Sequence, residues 1–196
     1  MKLLHIDSSA LGGYSVSRQL SSEIVAELTR NNPDIEVTYR DLAAQSLPHW
    51  TPVPDAAHPD AVLGNEVLEE FLAADVVVIG APMYNFGISS QLKSWIDRIL
   101  IAGKTFRYSA SGAEGLAGGK QVIIASSRGG SYGSAPYAAM DFQEPYLRTV
   151  LGFIGIDALQ FVRAEGLAHG DEHKAQAIAA AKASIGGLSI ELAQAA

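Results

Sequence analysis

Apolar and polar positions along this chain follow two rhythms, one of strands and one of helices, and the two take turns. Short apolar runs rich in β-branched residues at 2–7, 35–41, 75–81, 121–127 and 158–164 predict five strands. Between them, apolar residues three or four apart predict helices from about Ser17 to Asn31, Asp60 to Ala73, Ile88 to Ala102 and Pro136 to Phe153. An Ala-rich helix follows Asp171. Val16, Leu20, Ile24 and Leu28 form one stripe, Leu147, Val150, Leu151 and Ile154 a second, and Ile178, Ile185, Leu188 and Leu192 a third. Each of these helices has one face to bury.

A run such as DVVVIGA at 75–81 lacks polar alternation, so both of its faces must be covered. Strict β-α alternation with such strands points to an α/β protein whose parallel sheet carries helices on both faces. With five strands, the doubly wound flavodoxin-like order 2-1-3-4-5 is the natural topology. The whole chain, 1–196, reads as a single domain of this kind. Two long connections interrupt it: a proline-rich one at 43–61 with Trp50, and a Gly-rich one at 103–120 with Phe106 and Tyr108.

Composition narrows the chemistry. The net charge is −7 and the 14 Lys and Arg are scattered, which argues against a nucleic-acid backbone as partner. There is no cysteine, so thiolate nucleophiles, thiolate metal sites and disulfides are excluded, and redox chemistry requires a bound cofactor. The opening MKLLHIDSSA is too short an apolar stretch for a signal peptide and no run approaches a membrane span, so a cytoplasmic location is expected.

In an open parallel sheet, ligands sit outside the carboxyl ends of the strands where the strand order reverses. Three loops meet there. The first, SSALGGYSVSR at 8–18, holds four serines and two glycines and opens into a helix, whose free N–H groups suit a single phosphate. Helix capping by Ser15 or Ser17 is the ordinary alternative. The second, PMYNFGIS at 82–89, brings Met83, Tyr84, Asn85 and Phe86, apolar and aromatic surface beside an amide, where turn residues would suffice. The third, SRGGSYGSAP at 127–136, offers Gly129 and Gly130 for close backbone approach and Tyr132 to cover a flat ligand, while an arginine such as Arg128 is more often a solvated surface residue. Together they describe a flavin mononucleotide (FMN) site. No G-x-G-x-x-G follows the first strand, which counts against a dinucleotide fold.

At these residues the chain resembles the FMN-dependent NADH:azoreductases, also described as NADH:quinone oxidoreductases. The likeness rests on GYSVS, APMYNF with ISSQLK, GKTFRY with GLAGGK, SRGG, PYL with LGFIGI, and AEG, along almost the whole chain. It implies a homodimer with flavin sites at the interface, and ping-pong hydride transfer from NADH through FMN to quinones and azo compounds. It also implies that Ser9, Ser15, Val16 and Ser17 hold phosphate and ribityl, that Met83, Tyr84, Asn85 and Phe86 meet the ring, and that Ser127, Arg128, Gly129 and Gly130 meet its polar edge. No side-chain acid or base, and no metal, is implied for catalysis. The family name implies NADH as donor, although no 2′-phosphate site distinguishing NADPH is legible. Trp50, Phe106 and Tyr108 are candidates to reach over a partner's flavin.

Rival readings have specific weaknesses. An electron carrier of the same fold would not need the aromatic connections at 43–61 and 103–120, and a flavin-free binding module would be colourless. GGSYG at 129–133 matches a serine-hydrolase elbow, yet Ser131 lies several residues past its strand. HGDEH at 169–173 spells a zinc motif, but Gly170 and Asp171 look like a helix start that leaves His169 outside. Asp97 and Arg98 read as an ordinary solvated helix face.

Overall fold

A computed structural model describes residues 1–190. Five parallel strands form one sheet: β1 (Lys2–Asp7), β2 (Glu36–Asp41), β3 (Val76–Pro82), and, after a small hairpin of β4 (Phe106–Ser109) and β5 (Gly112–Gly115), β6 (Gln121–Ser127) and β7 (Leu159–Ala164). Their order is β2-β1-β3-β6-β7, the expected 2-1-3-4-5 with the hairpin set aside. A straight row of partners, Thr38, Leu4, Val77, Val122 and Leu159, crosses all five strands.

Period-two alternation along β3 explains the two layers. Val76 and Val78 face one side, where α1 (Val16–Asn31) supplies Leu20, Ile24 and Leu28 and α5 (Asp171–Ile185) supplies Ala181 and Ile185. Val77 and Ile79 face the other, against Phe71 of α2 (Pro59–Ala73), Leu92, Trp95 and Ile96 of α3 (Ser90–Ile99), and Leu147 and Leu151 of α4 (Glu144–Phe153). Phe71 and Trp95 meet edge-on at 5.7 Å. Of the C-terminal stripe, Leu192 lies outside the described residues.

Three boundaries differ from the expected ones, each for a local reason. The fourth helix starts at Glu144 instead of Pro136. Pro145 cannot donate to a carbonyl one turn back, so it is tolerated only in a first turn, and the Asp141 carboxylate accepts the N–H groups of Gln143 and Glu144 to cap that turn. The third helix is trimmed at both ends. Ser89 caps its start by accepting from Leu92 N, and the Thr105 hydroxyl donates to the Ile99 carbonyl at its end. The connection at 103–120 is no plain loop either, because Phe106 to Ser109 pairs antiparallel with Gly112 to Gly115.

That hairpin is pinned to the end of α4 by a close backbone crossing. A Cβ built on Gly115 lies 2.2 Å from the Gly155 nitrogen, and Gly155 itself has a φ of +93°. Gly115→Ala must therefore push two backbones apart, at a cost of about 1–3 kcal/mol by analogy with overpacked cores. Urea unfolding measures it, and a midpoint matching the parent protein would refute the crossing as drawn.

Candidate functional site

The first loop leaves β1 at Asp7 and is tied at once to its neighbours. Ser8 Oγ donates to the Gly80 carbonyl at 2.8 Å. Ser9 Oγ and Tyr84 Oη are 3.0 Å apart, and Ala10 N donates to the same phenol oxygen at 3.2 Å, so the first and second loops share one hydroxyl. Ser15 caps α1 by accepting from Arg18 N, and its Oγ lies 3.0 Å from that of Ser17. The capping role is therefore filled by Ser15, and the first-turn N–H groups of Val16 and Ser17 are left without an intrahelical acceptor.

Beneath this loop lies a polar cluster with His5, Asp7 and Ser21 at its buried centre. Arg18 donates through Nε and Nη2 to the Ser9 carbonyl and through both Nη atoms to Asp41. Ser21 Oγ and Tyr39 Oη both donate to the Asp7 carboxylate, and His5 Nε2 lies 3.0 Å from Ser21 Oγ. The bond from Arg18 holds the Asp41 carboxyl down at about 2. Burial, followed by the nearby Asp7 charge, pushes the Tyr39 phenol up to about 12. Asp7 also explains Gly80: a Cβ there would sit 2.3 Å from Asp7 Oδ1.

The second loop closes on itself. Tyr84 and Gly87 exchange N–H···O bonds of 3.0 Å, and the two residues between them, Asn85 and Phe86, have φ of +47° and +70°. Such a turn favours Asn followed by Gly; placing Phe at the second position strains it and turns the ring outward, 40% exposed. Phe86 meets Tyr132 of the third loop edge-on at 6.1 Å.

In the third loop Arg128 is not a solvated surface residue; it is 1% exposed. Its guanidinium donates to Glu144 and Glu165 and sits 3.1 Å from Asp141 Oδ2, while Nε reaches Ser126 Oγ and Gln143 Oε1. Glu165 accepts the Tyr132 N–H with the same oxygen that meets Arg128. The segment after β7 completes the frame, its Gly166, Leu167 and Ala168 N–H groups donating to the carbonyls of Gly130, Arg128 and Gly129.

These loops enclose a cavity of about 240 Å³. Ser9, Ser15, Val16, Met83, Tyr84, Ser127, Arg128 and Gly129 line it; Ser17, Asn85, Phe86 and Gly130 do not. Ser17 is fully buried under Ser15, Asn85 and Phe86 stand at the turn, and Gly130 lines a separate hollow with Tyr132, Tyr137 and Met140. Leu11, Tyr14, Leu167, Ala168 and Lys174 also line the cavity. Leu167 and Ala168 follow β7 just past the AEG segment and Lys174 stands in the first turns of α5, so the end of a fourth strand joins the three the sequence points to. His169 precedes α5 and His173 lies within it, as the Gly170–Asp171 start implied, with their rings 5.3 Å apart. Among the described residues, no three His, Asp or Glu converge as a metal site.

A parallel five-stranded sheet with helices on both faces and a cavity among the loops at its carboxyl edge defines a doubly wound α/β protein. The chain belongs to the family described as having a flavodoxin-like fold, whose model matches residues 1–188. A protein of Pseudomonas aeruginosa named FMN-dependent NADH:quinone oxidoreductase 2 is 58% identical over 199 residues, covering 95% of this chain and 98% of that one. One of Sinorhizobium medicae, named FMN-dependent NADH:quinone oxidoreductase, is 55% identical over 197 residues, covering 94% and 95%. The crystal structure of an azoreductase from Bacillus anthracis superposes with a TM-score of 0.87 at 26% identity, covering 95% of this chain and 97% of its own.

The Asp41–Arg18 pair makes a pH prediction. Asp41 titrates at about 2 in the fold, below its ordinary 3.8, so its contribution to stability is full above 3.8 and is lost as the pH falls toward about 2. The stability difference between the parent and Asp41→Asn should therefore shrink across that interval in denaturant titrations. A difference that stays constant from pH 5 to 2 would break the argument.

Proposed function

We propose that this chain is an FMN-dependent oxidoreductase that passes hydride from NADH to quinones and azo compounds by a ping-pong cycle. It works as a cytoplasmic homodimer with one FMN-binding domain per chain. The observation that carries the reading is the cavity at the carboxyl edge, which joins the free N–H groups of α1 to the Met83–Tyr84 wall and Gly129. The names of the relatives at 55% and 58% identity support it.

The residues present fit FMN. Ser9, Ser15, Val16 and Ser17 hold the phosphate and ribityl chain, Ser17 through its main-chain N–H because its hydroxyl is buried against Ser15. Met83 and Tyr84 would meet the ring from the cavity wall, with Tyr84 positioned by its bonds to Ser9 and Ala10, while Asn85 and Phe86, at the turn outside that wall, would reach it only at its margin. Ser127, Gly129 and Gly130 meet the polar edge. Arg128 contributes wall, its guanidinium being committed to carboxylates. When bound, FMN supplies the reversible hydride acceptor that no side chain here provides. The protein positions it, excludes water beneath it through the buried carboxyl ends of β3 and β6, and directs main-chain dipoles at its anionic groups. The pairing of two chains is supported by an exposed aromatic patch: Tyr108 is 75% exposed beside Phe106, which meets Phe153 at 4.8 Å.

The purified protein should be yellow, bleach on anaerobic NADH addition, and give parallel double-reciprocal lines with NADH and a benzoquinone; converging lines or a colourless protein that takes up no FMN would defeat the proposal. Tyr84→Phe removes both bonds that tie the first loop to the second, each worth about 0.5–1.5 kcal/mol, so FMN binding should weaken by roughly fivefold or more. Fluorescence titration reads it, and unchanged affinity would remove Tyr84 from the site.

A further inference from the structure

A second and larger cavity, about 430 Å³, opens where the connection at 42–58, the first turns of α2 and the end of α3 meet. It shares no lining residue with the loop cavity and lies within the roughly 300–1,000 Å³ range of small-molecule sites. Arg98 lines it, and Arg98 is not the solvated surface charge its neighbour Asp97 suggests. It is only 3% exposed.

The other buried arginines have carboxylates: Arg40 sits on Glu66 and Glu70, and Arg128 on Asp141, Glu144 and Glu165. Arg98 has none among the described residues. Nη1 donates to the Ser94 carbonyl one turn back on its own helix, and Nε is buried without a partner. Asp97 points to Lys93 instead. Burial pushes the Arg98 guanidinium down from its ordinary range, and Asp60 and Asp97 oppose that only from a distance. A buried guanidinium with spare donors beside a cavity is missing an anion, because leaving it so is costly.

The walls indicate which anion. Lys104 and Arg98 bring two positive charges and Asp60 one negative, a balance that suits a single negative charge. Trp50, Pro52, Val53, Pro54, Leu68 and Ile101 supply an apolar lining. We propose that this cavity binds small apolar monocarboxylates, with the carboxylate on Arg98 and the hydrocarbon body against Trp50 and the two prolines. A guanidinium offers a carboxylate two parallel donors, which is the geometry it binds best.

The test is calorimetric titration of the full chain, loaded with FMN, using benzoate and the neutral isostere benzamide. Benzoate is expected to bind one per chain, and benzamide to bind at least tenfold more weakly, the charged hydrogen bonds being worth about ten- to a hundredfold. Arg98→Met should weaken benzoate by a similar factor, with Arg98→Lys in between. Trp50→Ala, at the half-exposed rim, should weaken both probes without touching the buried charge, which keeps the test valid if Arg98→Met misfolds. The proposal is overturned by absence of benzoate binding, by equal binding of benzamide, or by equal binding to Arg98→Met. It is also overturned if sedimentation shows that Arg98→Met dissociates a dimer, since a second copy would then supply the missing carboxylate. None of these readings depends on flavin colour, so the flavin assignment fails or stands separately.

Discussion

Where a parallel sheet ends, its backbone carbonyls lose their ladder partners while still buried, and the carboxyl edge of this protein is organised around supplying donors to them. Ser8 serves the Gly80 carbonyl, Gln143 Nε2 the Ala81 carbonyl, and Arg18 the Ser9 carbonyl. Ser8 and Gln143 lie 72 and 62 residues from the carbonyls they serve, and Arg18 lies 9 from its own. Satisfying the edge therefore also fixes the three loops relative to one another, and the cavity between them is a consequence of that stitching.

The same stitching explains an electrostatic feature. Two arginines lie under the loops, yet neither offers its charge to a ligand, because Arg18 is held by Asp41 and Arg128 by three carboxylates. What remains for an anion is the array of α1 N–H groups, hydroxyls and the rim lysine Lys174. An acidic protein can thus hold an anion without a basic patch, since helix-terminal N–H groups act at contact distance. The contrast with Arg98 follows from the same accounting: it is the buried arginine with no carboxylate among the described residues.

Much of this was legible in the chain. The apolar runs gave β1, β3 and β6 to within a residue, because a strand buried on both faces admits little else, and the topology followed from alternation. The three loops were found by their excess chemistry over turn needs. The hairpin at 106–115 was hidden because its register depends on Gly115 crossing Gly155, a contact 40 residues apart in sequence. The start of α4 was readable in principle from Pro145 and Asp141, but the apolar spacing upstream outweighed them. Arg98 and Arg128 defeated the usual expectation for charged residues, since only tertiary structure decides whether an arginine sits at the surface or under a loop.

Phe86 shows how strain marks the part of the site that packing alone does not require. A tight turn with positive φ at both central residues is cheapest with glycine second, and this one carries an aromatic ring instead. The ring is not buried to compensate, being 40% exposed, and its one aromatic neighbour is Tyr132, itself held by Glu165. The Phe86 carbonyl accepts the Phe142 N–H, which any residue at 86 could do. A conformation that costs about 1–3 kcal/mol and gains little core persists only where the displayed side chain is itself the purpose. The second loop thus displays an aromatic ring toward solvent, braced edge-on by Tyr132 of the third loop.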